Sequence, residues 1–324
     1  MHGTADHSLS ATPSPVPAAS PAAAVAPGSL GAWLLALRPR SMTIAVSPVV
    51  VAVALIWARG SAIDPWLVAL VLAAAVLMQA ITNLQNDVGY TARGAEKRGD
   101  RVGLPRATAL GLLSHAQVRG AILLAIGLTL LIGLPFVHLR GLPALLVGAS
   151  SIVAALAYMG GPRPIAYTPL GEATVFVFFG LVAMVGTDLA LTGSVTDPAL
   201  WLAGAAIGGI ATAALLVNNA RDWQHDGAVG RRTLVVVLGR PAADAIYAVL
   251  MLGPLVLLAP LAWLMQSAWL LLPLLWLPAC VKLVRDFAAC PPGLAYNGVL
   301  FRTFVMELKF AALLAAGAVL SRVL

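Results

Sequence analysis

The chain has 324 residues, 60% of them hydrophobic and only 10% charged, with a mean hydropathy of +0.92. Ordinary soluble domains carry about 25% charged residues, so the composition excludes a soluble globular protein and predicts an all-α membrane protein built from crossings of ~20 apolar residues each. Twenty Lys and Arg against 13 Asp and Glu leave a net charge of +7. The bases sort by membrane side, as shown below, so they are read as topology and no nucleic-acid partner is expected.

Residues 1–29 are rich in Ala, Pro and Ser and carry no Lys or Arg ahead of a hydrophobic stretch. They lack the charged start of a signal peptide and predict a disordered tail. Residues 30–324 then predict a single nine-helix transmembrane domain, with apolar runs near 41–58, 66–82, 121–139, 142–160, 171–192, 199–217, 243–265, 268–284 and 303–320. Numbering the connections places sixteen basic residues on one side and three, Arg59, Arg140 and Arg322, on the other, with Lys309 inside the last helix. Because cytoplasmic loops collect Lys and Arg, the N-terminus and the basic loops are expected in the cytoplasm. Cys280 and Cys290 have no metal-ligand spacing and predict free thiols.

Two polar stripes interrupt this pattern. The second helix ends in Asn83-Leu84-Gln85-Asn86-Asp87 followed by Tyr90, Arg93 and Gly94, and the sixth in Asn218-Asn219-Ala220-Arg221-Asp222 followed by His225 and Asp226. Asn83, Asn86, Asp87 and Tyr90 recur at three or four residues, as do Asn219, Asp222 and Asp226, so each set shares one face if its helix continues. The stripes lie four crossings apart, an even number, which allows two parallel copies of a four-helix unit with the stripes facing each other. Carboxylate and amide oxygens at a membrane surface suit Mg2+, which takes one or two carboxylates plus water and phosphate oxygens. Neighbouring Arg and Lys would neutralise the rest of a polyphosphate. Glu172 and Asp188 near the two ends of the fifth helix are suspects simply as intramembrane acids, with interfacial roles equally open. His225, between two acids of the stripe, is expected to point off their face, and Glu307 and Lys309, two residues apart, are not expected to pair.

These strings, together with Asp100-Arg101-Val102-Gly103-Leu104-Pro105-Arg106, Arg163-Pro164-Ile165-Ala166-Tyr167, Leu170-Gly171-Glu172, Phe178-Phe179-Gly180 and Gly230-Arg231-Arg232-Thr233-Leu234, resemble the UbiA-type intramembrane aromatic prenyltransferases, and within them the branch acting on 1,4-dihydroxy-2-naphthoate. The resemblance spans roughly residues 33–320. It implies transfer of a polyprenyl chain from polyprenyl diphosphate to that naphthoate, with loss of CO2 and diphosphate, in the bacterial cytoplasmic membrane. It also implies Mg2+ as cofactor. Carried onto this sequence, Asp87, Asp222 and Asp226 are the expected catalytic acids, and Asn83, Asn86, Asp87, Asn219, Asp222 and Asp226 the expected cation ligands. Lys97, Arg101, Arg106 and Arg221 are expected on the diphosphate, and Arg40 and Tyr167 on substrate. The branch usually has a second Asp in its first motif where this chain has Tyr90, a poor Mg2+ ligand at neutral pH. Another aromatic acceptor such as 4-hydroxybenzoate, and a membrane transporter, are the competing readings.

Overall fold

The computed structural model describes residues 25–95, 103 and 105–324. Among the described residues nine stretches are helical, long and apolar enough to cross a membrane, beginning at Leu30–Ala58 and ending at Tyr296–Val323. The first is broken: α1 (Leu30–Leu37) starts on Ser29, whose side chain accepts from the Ala32 N–H, and ends at Arg38 in left-handed conformation, before a 3-10 turn at Pro39–Ser41 leads into α2 (Met42–Ala58). Just upstream of that cap, the Gly28 N–H donates to the Leu112 carbonyl.

Then come α3 (Pro65–Ala92), α4 (His115–Arg140) and α5 (Leu142–Met159). The fifth crossing is composite: α6 (Gly171–Val175), a π-helical segment at Phe176–Val182, and α7 (Ala183–Thr192). It is followed by α8 (Pro198–Ala228), the short α9 (Leu234–Leu238), α10 (Arg240–Leu264), a 3-10 stretch at Ala268–Trp276 leading into α11 (Leu277–Ala288), and α12 (Tyr296–Val323).

The helices carrying the polar stripes begin alike. Asp64 and Asp197 each precede a proline at the first helical position, and each carboxylate accepts a backbone N–H two residues on, from Trp66 at 2.8 Å and Ala199 at 2.9 Å. Proline is at home there because its missing N–H would have no partner in the first turn anyway. Both helices also outrun their apolar stretches, α3 to Ala92 and α8 to Ala228, so each stripe rides on a continuous helix.

The most enclosed crossing is α8, with 78% of its most apolar window buried, against 22% for α4. Its Gly204, Gly208 and Gly209, set among alanines, let the π-helical segment and α10 come close. Lipid-exposed helices gain little from hydrophobic burial against one another, so small residues and tight van der Waals contact do this work. A Cβ placed on Gly208 would lie 2.8 Å from both the Gly180 Cα and the Phe176 carbonyl oxygen. Gly208→Leu is therefore expected to cost at least the ~1–3 kcal/mol typical of overpacking, seen as a lowered unfolding midpoint in detergent; an unchanged midpoint would show that the α8 contact yields freely.

Candidate active site

At the end of α8 every acid of the second stripe is buried and engaged. Asp222 is held two-pronged by its neighbour Arg221, Nε to Oδ1 at 3.0 Å and Nη2 to Oδ2 at 2.8 Å. Arg221 also donates from Nη1 to the Asn297 Oδ1 on α12 at 2.8 Å. Asn219 donates to the Glu172 Oε1 at 2.8 Å, tying α8 to α6. Asp226 is fully buried: its Oδ1 accepts from the Arg231 Nη1 at 2.5 Å, while its Oδ2 has no hydrogen-bond partner among the described residues. The local chain path makes this pairing. Gly230 adopts a φ of +79°, a left-handed turn that glycine enters at no steric cost, and the reversal brings the Arg231 N–H to the Asp226 carbonyl at 2.8 Å.

The first stripe is spent differently. Asp87, fully buried, accepts from the Ala107 N–H at Oδ2 (2.9 Å), and at Oδ1 from the Thr108 N–H (2.9 Å) and hydroxyl (2.6 Å). Asn83 donates to the Leu37 carbonyl at 2.7 Å and the Ser41 hydroxyl at 2.9 Å, fastening the α1–α2 junction, and its Oδ1 accepts from Gln79. Asn86 is half-buried.

The two stripes meet through Arg231. The same Nη1 that reaches Asp226 donates to the Tyr90 hydroxyl, and Nε donates to the Ala166 carbonyl at 3.2 Å. Burial works against the charge of this guanidinium, but the Tyr90 oxygen and the Asp226 carboxylate beside it more than offset that, and its pKa lies above the ordinary arginine value. Arg106, also buried, lies 4.6 Å from the centre of the Tyr90 ring, and Arg231 lies 5.0 Å from it. Tyr167 joins the cluster with Arg231 at 5.7 Å and Arg93 at 5.8 Å from its ring. Arg93 also donates to the Met159 carbonyl at 2.7 Å and to that of Gly161.

Of the residues expected from sequence, Asp222, Asp226, Asn219, Arg221, Tyr167 and Arg106 lie around these contacts, and Asp87 supports them from behind the loop carrying Arg106. Arg40 is exposed, with its guanidinium 5.8 Å from the Phe301 ring, and forms no hydrogen bond or ion pair with either stripe among the described residues. Lys97 and Arg101 lie outside the described residues. Asp188 proves to be a tie at the opposite end, accepting from Thr192 at 2.8 Å and facing Arg59 at 3.8 Å. Lys309 turns to the Trp276 ring at 4.4 Å, while Glu307 stays buried beside Ser47, so the two do not pair. His225 is buried too, and neither ring nitrogen has a partner among the described residues.

Sequence reasoning passed over Arg231, Arg93 and Asn297. Arg231 stood only in the tally of loop charges and in a family-like string; its place directly after the second stripe was the available signal. Asn297 and Arg93 act through partners 76 and 66 residues away, which no local pattern announces.

Among the described residues no three acidic, histidine or cysteine side chains converge closely enough to hold a metal alone. The second stripe nevertheless suits Mg2+, which commonly takes one or two carboxylates and fills its shell with water and substrate phosphate. The buried, unpartnered Asp226 Oδ2 is the kind of hard oxygen such an ion needs.

The sequence matches the UbiA prenyltransferase family over residues 45–291. It is 37% identical over 234 residues to the 1,4-dihydroxy-2-naphthoate octaprenyltransferase of Escherichia coli (strain K12), covering 70% of this chain and 75% of that protein. The Mycobacterium tuberculosis (strain ATCC 25618 / H37Rv) protein of the same name is 34% identical over 221 residues, covering 68% and 74%. Among solved structures, a UbiA homolog from Archaeoglobus fulgidus bound to GPP and Mg2+ superposes with a TM-score of 0.62 at 16% identity, covering 89% of this chain and 99% of that one. The apo UbiA homolog from Aeropyrum pernix K1 gives 0.64 at 17% identity, covering 86% and 97%. By sequence match over most of its length, and by a fold that agrees, the chain belongs to the UbiA prenyltransferase family.

Proposed function

We propose that the protein transfers a polyprenyl group from polyprenyl diphosphate to 1,4-dihydroxy-2-naphthoate, releasing diphosphate and CO2, at the cytoplasmic face of the bacterial inner membrane. The observation carrying this reading is the Tyr90–Arg231–Asp226 bridge, which gathers both stripes into one buried, charge-dense site. The naphthoate is favoured over other acceptors by relatives that are 37% and 34% identical over the matched residues. The 30–324 unit would be the catalytic domain and 1–29 an appended tail.

The reaction begins as the allylic carbon–oxygen bond breaks heterolytically and negative charge gathers on diphosphate. Guanidiniums preorganised in a buried site stabilise that charge without having to reorganise. Arg231 and Arg106 stand where they can do so, and Arg221 is braced between Asp222 and Asn297. Asp222 and Asp226, with Asn219, would hold Mg2+, which supplies further positive charge to the leaving group. Tyr167 offers an aromatic wall beside the acceptor. A ring carbon of the acceptor bonds to the prenyl cation, and as CO2 leaves, the ring keeps the electron pair. The long prenyl tail is insoluble in water, which fits a site at the end of a lipid-embedded helix bundle.

The test is prenyl transfer in membranes carrying the protein, offered a polyprenyl diphosphate with either 1,4-dihydroxy-2-naphthoate or 4-hydroxybenzoate, with Mg2+ or with EDTA. Product from the naphthoate alone, lost in EDTA, is expected. Product from the benzoate alone would move the protein to another acceptor.

A further inference from the structure

The two stripes are unequal, and the inequality has a chemical meaning. A cation at each stripe needs open oxygens at each. In the second, Asp226 offers one. In the first, both Asp87 oxygens accept from the loop at Ala107 and Thr108, the Asn83 amide is committed to the α1–α2 junction, and the position expected to carry a second acid is Tyr90. Among the described residues that leaves the half-buried Asn86 amide as the one side chain of the first stripe open to a cation, and no open carboxylate.

What the first stripe builds instead is basic. Asp87 grips the residues immediately after Arg106, and that grip sets the Arg106 guanidinium 4.6 Å from the Tyr90 ring. Arg231 in turn donates to the Tyr90 hydroxyl and lies 5.0 Å from the same ring. A phenol beside two guanidiniums is a coherent arrangement: the ring attracts the cations, and the hydroxyl oxygen accepts from one of them. A carboxylate there would neutralise them instead. Two guanidiniums also bring the formal charge of one divalent ion, in a planar fork that matches phosphate oxygens.

Resting on the prenyl-transfer reading above, we propose that this chain binds diphosphate with a single divalent cation, at the second stripe, and that the Arg106–Arg231 pair assembled on Tyr90 takes the place of a cation at the first. Asp87 is then a positioning residue for Arg106.

Binding of Mn2+ and inorganic pyrophosphate to the full-length protein in detergent tests this without prenyl transfer. Electron paramagnetic resonance is expected to count one protein-bound Mn2+ per chain in the presence of pyrophosphate. Two for the native chain would overturn the proposal. Arg106→Gln is expected to weaken pyrophosphate about tenfold or more while the Mn2+ count stays at one; unchanged affinity would overturn it. Arg231→Lys, which keeps the charge inside the fold but loses the fork, is expected to weaken pyrophosphate in the same sense. Failure of the native chain to bind pyrophosphate at all would remove the prenyl-transfer reading together with this one, whereas two Mn2+ ions with tight pyrophosphate would remove this one alone.

Discussion

Asp226→Asn is expected to lower the rate of prenyl transfer on the order of 10²–10³-fold, the scale seen when one preorganised electrostatic group is removed from a buried reaction site, with some loss of stability because the buried Arg231 loses its charged partner. The substitution is nearly isosteric. The amide oxygen still accepts from Arg231, and the new NH2 group takes the place of an oxygen that has no hydrogen-bond partner among the described residues. What disappears is the negative charge, which is both the expected cation ligand and the counter-charge of Arg231. Asp222→Ala would be a less clean choice, because it strands the buried Arg221 guanidinium, and breaking a buried pair by removing one partner costs roughly 3–5 kcal/mol. Initial rates for purified native and Asp226→Asn protein, beside their unfolding midpoints, decide the matter. Activity within a few-fold of native would take Asp226 out of the reaction.

Asp87→Ala should do something different: destabilise first, and impair activity as a consequence. Three hydrogen bonds end on that carboxylate, and two come from backbone N–H groups that are buried with it. Hydrogen bonds to a charged group contribute about 1.5–3 kcal/mol each, and they are not additive. A loss of about 3–5 kcal/mol is expected, with faster tryptic cleavage after Arg106 as the loop is released. Thr108→Val, which removes one of the three bonds, should fall in between. If Asp87→Ala kept native stability and native tryptic resistance but lost bound cation, Asp87 would be a metal ligand rather than the anchor of the loop.

Much of this architecture is written in local pattern. Nine apolar stretches are visible as composition, and the polar stripes at the ends of the second and sixth crossings are visible as spacing. The helix ends were not. An apolar window closes where polar residues begin, near 82 and 217, which left open whether the helices ran on through the stripes; both do, to Ala92 and Ala228. Their polar turns face protein rather than lipid, and hydropathy reports composition, not surroundings. The same limit hid α1, whose eight residues are too few to register as a crossing. At the site, residue types were legible but allegiances were not. Asp87 and Asp226 look equivalent in sequence; one is used up by a loop some twenty residues on, and the other keeps an oxygen open. Glu172 was open to a structural or an acceptor-pocket role, and its partner Asn219 lies 47 residues away.

The π-helical segment at Phe176–Val182 has a consequence for how insertions and deletions would be felt. A π turn accommodates an extra residue within an otherwise α-helical crossing, and each residue of an α-helix advances its side chains by about 100°. The segment therefore acts as a phase shifter. It sets the azimuth of α6, with Glu172 turned to Asn219, independently of α7, where Asp188 meets Thr192 and Arg59. Removing one residue there would leave a crossing of nearly the same length and apolarity, yet rotate one half against the other. Glu172 would swing off α8 while the helix still spanned the membrane, a defect of angle that neither hydropathy nor helix content would register.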